Sequence, residues 1–101
     1  MDLIIKDLCG KKTVTRSEGR MLNDLITKKW DSEQSFYIDF DNVLVASVSF
    51  MDEAFGKLAL LYSRETLQKK LKFKNILDYD RALLNDILNS RFRQKNVENG
   101  E

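Results

Sequence analysis

The chain has 101 residues, 17 basic and 16 acidic, with a net charge of +1, no histidine, no proline and a single cysteine. That length suits one domain, and the missing residue types remove within this chain a histidine-based triad, a histidine metal site, an internal disulfide and a Cys-cluster zinc site. With its charges so nearly balanced, global electrostatics draw the protein to neither nucleic acid nor membrane.

A hydrophobic fraction of 43% beside 33% charged residues is globular composition, not the signature of disorder. No apolar run approaches the roughly 20 residues of a membrane helix. The start, Met1 to Asp7, is too short and too interrupted for a secretory leader. The cytoplasm is the expected location.

Leu3 to Leu8, short and carrying the β-branched pair Ile4-Ile5, reads as a first strand ending at a turn around Gly10. Thr15-Arg16-Ser17-Glu18 fits a capping box, with Thr15 as N-cap. Leu22, Leu25 and Ile26 give the helix that follows its apolar stripe. Gly19, inside its first turns, costs roughly 1 kcal/mol relative to Ala, which implies a close neighbour of the backbone. Lys28 and Lys29 suit the negative helix end.

Phe36 to Phe40 alternates as a second strand, with Phe36, Ile38 and Phe40 on one face, and Asp41-Asn42 supplies a turn. Val43 to Val48 is nearly all apolar and predicts an extended piece buried on both faces. Ser49-Phe50-Met51-Asp52 predicts a second capped helix starting at Ser49. Its residues Phe50, Met51, Ala54, Phe55, Leu58, Ala59, Leu61 and Tyr62 cover most of the circumference, so it is largely buried. Gly56 in its middle predicts close packing against a sheet.

Residues 64–69 are polar and continue as helix or loop. Lys70 to Lys74 alternates as a strand, and a last helix from Asp78 or Tyr79 to Arg93 turns Leu83, Leu84, Ile87 and Leu88 inward. Residues 96–101 are a polar tail expected to fray. The order predicts a single layered α/β domain over residues 1–95, built on a mixed sheet of about four strands with three helices.

Two blocks stand out together: Thr15-Arg16-Ser17-Glu18-Gly19, and Ser49-Phe50-Met51-Asp52-Glu53-Ala54-Phe55-Gly56 after a strand ending Ile38-Asp39-Phe40. The pair resembles the STAS-like domain family of small bacterial proteins, over roughly residues 3–92. The resemblance implies a mixed sheet covered by helices on one side. It also implies relatives that act as anti-sigma-factor antagonists, in which a serine at the start of the helix after the central strand is phosphorylated by a histidine-kinase-like ATPase that doubles as an anti-sigma factor. Ser49 holds that place here. The antagonist pattern D-S-S-G falls on Ser47-Val48-Ser49-Phe50, so the Asp, the Ser next to the phosphoacceptor place and the Gly are replaced, and Asp52 one turn away repels a phosphate. The plainer role of Ser49 is an N-cap worth about 1 kcal/mol.

Arg16 is placed to pair with Asp52 or Glu53 if the two helix starts lie side by side. In the functional reading, Thr15, Arg16, Ser17, Gly19, Ser49, Phe50, Asp52 and Glu53 form one partner surface at the strand ends. Asp39, Asp41, Asp52 and Glu53 can be read as an acidic metal cluster, but Asp39 alternates with buried neighbours and Asp41 fits a turn, so no metal is assigned. Lys70, Lys72 and Lys74 read as charge on an edge strand that resists edge pairing; without interleaved aromatics they do not make a nucleic-acid platform. Trp30 is expected to cap the core, and Cys9 to be a small buried apolar residue. No phosphate loop, nucleophile elbow or dinucleotide fingerprint occurs.

The expected function is therefore a non-enzymatic regulatory module without cofactor that binds a kinase-like ATPase or anti-sigma-type protein. The alternative is a phage or mobile-element accessory protein that blocks a host protein by direct binding. A homodimer is compatible with either. A hydrolase or metal enzyme would need Asp39 and Asp52 in one cleft.

Overall fold

Alternation in residues 36–40 sets the centre of the molecule. Phe36, Ile38 and Phe40 are buried while Tyr37 between them is exposed, as a strand with one covered face requires. In the computed structural model, which describes residues 1–98, this segment is β3 (Phe36–Asp39). It is flanked by β1 (Asp2–Ile4) and β5 (Leu71–Lys74), both parallel to it, giving the order β1-β3-β5. The register puts Leu3, Ile38 and Phe73 in one row facing the core. The neighbouring rows carry Asp2, Tyr37 and Lys72, then Ile4, Asp39 and Lys74, to the other face. All of these are exposed except half-buried Asp39, so this parallel sheet is covered on one face only.

A second, two-stranded sheet pairs β2 (Thr13–Val14) with β4 (Leu44–Val45), again parallel. Among the described residues the strands thus number five in two wholly parallel sheets, instead of about four in one mixed sheet, and the helices outnumber the expected three. Each pairing is joined through intervening helix, the connection parallel strands need.

The first expected strand stops early. Ile5 to Cys9 is a short helix, α1, closed by Gly10 at φ +65° whose amide donates to the Lys6 carbonyl at 2.9 Å. The left-handed cap at Gly10 favours this ending over continued strand. The expected two-face burial of 43–48 also fails. Only Leu44 and Val45 are strand, and Leu44 and Val48 are 62% and 57% exposed. With two-residue β2 as its only sheet neighbour among the described residues, this apolar run has little to bury against.

Helix α2 (Arg16–Lys28) forms with the expected capping box, and Leu22 and Ile26 are buried. Trp30 closes the core after it, stacked at 4.2 Å on Tyr62 and 5.9 Å on Phe36. The Lys70 ammonium bonds the Trp30 and Glu33 carbonyls. Cys9 is only half-buried, and burial is the main cause that raises its thiol pKa.

The second expected helix covers 48–61 in three parts: α3 (Val48–Met51), a π-helical turn (Asp52–Gly56) and α4 (Lys57–Leu61). Phe50, Met51, Ala54, Phe55, Leu58 and Ala59 are fully buried, as the apolar circumference predicts, but Leu61 is 67% exposed. Residues 64–70 are helical, α5 (Arg64–Lys70), so Lys70 ends a helix, half-buried, instead of opening the strand; β5 is an edge strand with Lys72 and Lys74 exposed. The last helix, α6 (Asp78–Glu98), buries Leu84 and half-buries Leu83, Ile87 and Leu88. It runs three residues into the expected tail; 99–101 lie outside the described residues. Among the described residues no helix is long and apolar enough to cross a membrane.

Candidate functional site

Helices α2 and α3 start side by side because Gly19 allows it. A Cβ built on Gly19 would lie 2.5 Å from the Phe50 carbonyl oxygen and 3.2 Å from Glu53 Cβ. Gly19 and Phe50 are both buried. They therefore hold the two motifs together from inside and present nothing to a partner, contrary to their expected place on the surface.

Across that contact Arg16 forks. One arm donates to Glu53 Oε1 at 3.1 Å and the other to the Ser49 hydroxyl at 2.9 Å. Glu53 is 6% exposed, and its other oxygen lies 2.5 Å from the Lys57 ammonium and 3.9 Å from Arg20 Nε. The bond from Lys57, reinforced by the charges of Lys57, Arg20 and Arg16, holds the Glu53 carboxyl below the usual range. The cations outside it are roughly half exposed or more. What reaches solvent over this acidic residue is positive.

Ser49 does not cap the helix. The cap is Ser47, whose hydroxyl accepts the Ser49 amide at 3.1 Å. The cap lies two residues earlier than expected, which releases the Ser49 hydroxyl for Arg16.

Asp52 is held from the far side. Arg91 of α6 grips it with two bonds, Nε to Oδ1 at 2.8 Å and Nη2 to Oδ2 at 2.5 Å. These bonds pull its pKa down. Gly56 makes the room: a Cβ there would stand 2.4 Å from Asp52 Oδ1 and 3.0 Å from Ile87 Cγ2. The expected close approach at Gly56 is thus to a carboxylate and α6 rather than to a sheet. A cleft of about 260 Å³ opens beside this pair, bordered by Val48, Ser49, Asp52 and Arg91.

Thr15 is taken up locally: Glu18 Oε1 accepts its amide at 2.8 Å and its hydroxyl at 3.0 Å, and Lys11 binds the other oxygen at 3.1 Å. Ser17 is exposed beside Arg16. Asp39 is bonded by Asn75 Nδ2 and the Asp41 amide, both at 2.9 Å, and pins the turn after β3. Among the described residues no three of His, Cys, Asp and Glu gather where a metal ion could be held.

A family model for a STAS-like domain of unknown function (DUF4325) matches residues 18–81. The chain belongs to this STAS-like family. No curated protein and no solved structure matches it. In this STAS-like domain the matched stretch contains Ser49, Asp52, Glu53 and Gly56, while Arg16, which binds Ser49 and Glu53, and Arg91, which binds Asp52, lie outside it.

Arg20, Lys57 and Arg91 were not singled out by sequence, nor was the capping role of Ser47. Two had a signal: Arg20 is four residues from Arg16, and Lys57 four from Glu53, spacings that share a helix face. Arg91 had none, being 39 residues from Asp52.

Proposed function

We propose that this STAS-like domain is a non-enzymatic regulatory module whose contact surface is the cationic rim where α2 and α3 begin, with Arg16, Ser17, Ser49 and Lys57 facing a negatively charged protein partner. The partner class is a histidine-kinase-like ATPase or an anti-sigma-type protein, and Ser49 is the residue through which the contact is switched.

One observation carries this reading: the Ser49 hydroxyl is free of capping and already held at 2.9 Å by an arginine. A phosphoryl group there would add between one and two negative charges and three acceptor oxygens. Arg16 stands ready for a charge-assisted bond. Asp52, which by sequence opposes a phosphate, is bound at both oxygens by Arg91, so much of that repulsion is offset. Glu53 keeps Lys57 if Arg16 turns away. The modified surface loses positive charge where an acidic partner would sit and releases it.

The test uses the full chain as bait in its native cell, as wild type and as Ser49→Glu. Recovery of an ATPase of this class by wild type and its loss with Ser49→Glu supports the reading. Incubation with that ATPase and ATP should then add one phosphoryl mass to wild type and none to Ser49→Ala. An unchanged wild-type mass removes the phosphosite, and identical recovery by both baits removes the surface.

A further inference from the structure

A second cleft, about 460 Å³ in volume, lies between α5, β5 and α6. Its floor is apolar: Leu67 and Leu84 are buried, and Phe73, Leu88 and Phe92 are half-buried. Its rim carries two arginines, Arg64 and Arg81, and among the described residues no acidic one lines it.

The placement of those arginines is informative. Among the described residues neither forms an ion pair. Arg64 is the first residue of α5, where the helix dipole disfavours a cation. It lies over the Phe92 ring at 4.5 Å, which places the guanidinium at the cleft mouth, and among the described residues its donors form no hydrogen bond. Asn85 and Asn89 add amides to the same wall. Ligand pockets commonly measure about 300–1,000 Å³ and combine apolar lining with a few placed polar groups; this cleft has that size and that make-up.

We infer that the cleft between α5, β5 and α6 binds a small amphipathic organic anion, an apolar body seated on Leu84, Leu88 and Phe73 with one carboxylate held by Arg64 and Arg81. Charge complementarity selects the anion: two guanidiniums that form no ion pair among the described residues, over an apolar floor, attract a carboxylate and repel an amine. The volume selects a small molecule of one or two rings. The site is separate from the Arg16–Ser49 surface and does not depend on it.

Titration of the ¹⁵N-labelled full chain with 2-naphthoate and, separately, with 2-naphthamide tests this. The two probes share shape and apolar area and differ in charge. The expected result is that naphthoate shifts the amides of Leu67, Leu84, Leu88 and Phe92, and binds roughly tenfold more tightly than naphthamide, the worth of one charge-assisted contact. Arg64→Gln and Arg81→Gln, both at the rim, should each erase most of that difference while leaving the rest of the spectrum in place. Equal affinity for the two probes, shifts centred elsewhere, or no shifts at millimolar naphthoate would overturn the inference.

Discussion

Gly19 lies so close to the Phe50 carbonyl that a side chain of even one carbon would stand 2.5 Å from the oxygen. The neighbour is backbone and cannot swing away. Gly→Ala in a helix ordinarily gains about 1 kcal/mol, but here Gly19→Ala must push α2 off α3, and overpacking of this kind costs about 1–3 kcal/mol. Urea denaturation should show a net loss. A gain would mean that the helix starts separate easily.

Ser47 and Ser49 should behave oppositely under alanine substitution. Ser47→Ala removes the helix cap and should cost about 1 kcal/mol. Ser49→Ala removes a partly exposed bond to Arg16 and should stay within about 0.5 kcal/mol. Thermal denaturation of the two variants ranks them, and the reverse ranking would return the capping role to Ser49.

Gly56, Asp52 and Arg91 should act as one unit. Gly56→Ala pushes the Asp52 carboxylate off Arg91, so Arg91→Gln in that background should add less destabilisation than it does alone. Coupling between touching residues is about 0.5–3 kcal/mol. A double-mutant cycle measures it; strict additivity would contradict the arrangement.

Acid should destabilise the protein. Among the described residues four carboxyls have folded pKa values below their ordinary range: Glu18 through the Thr15 amide, Asp39 through Asn75, Asp52 through Arg91 and Glu53 through Lys57. Their contribution is fully present above the unfolded carboxylate range, near pH 4, and is lost as pH falls through the folded values. Buried Asp80 is raised by desolvation and acts with opposite sign, one group against four. In Lys57→Met, Glu53 loses its leading partner, so its share should disappear at higher pH than in wild type. Unfolding free energy measured from pH 7 down to pH 2 checks both statements.

The sequence made the α/β order, the capping box, the buried helix at 48–61 and the Gly19 approach legible, because each is written in local spacing. Arg16 with Glu53 was legible for the same reason, once both helix starts were recognised. Ile5 to Cys9 was misread because two β-branched residues outweighed a glycine cap. The run from Val43 to Val48 was misread because hydrophobicity was equated with burial, and a two-residue strand cannot cover it. Arg91 stayed invisible because a pairing across 39 residues leaves no periodic trace.

The parallel pairing bears on how the chain is made. Asp2 meets Tyr37, Thr13 meets Leu44 and Phe36 meets Leu71, so every ladder joins segments roughly 30–35 residues apart. Loop closure must come before any strand contact is rewarded, which slows folding relative to a helical bundle of equal size. During synthesis β3 waits for Leu71 to Lys74 before its second neighbour exists. Until then Phe36, Ile38 and Phe40 border an open strand edge, and the nascent chain is most exposed to aggregation in that interval.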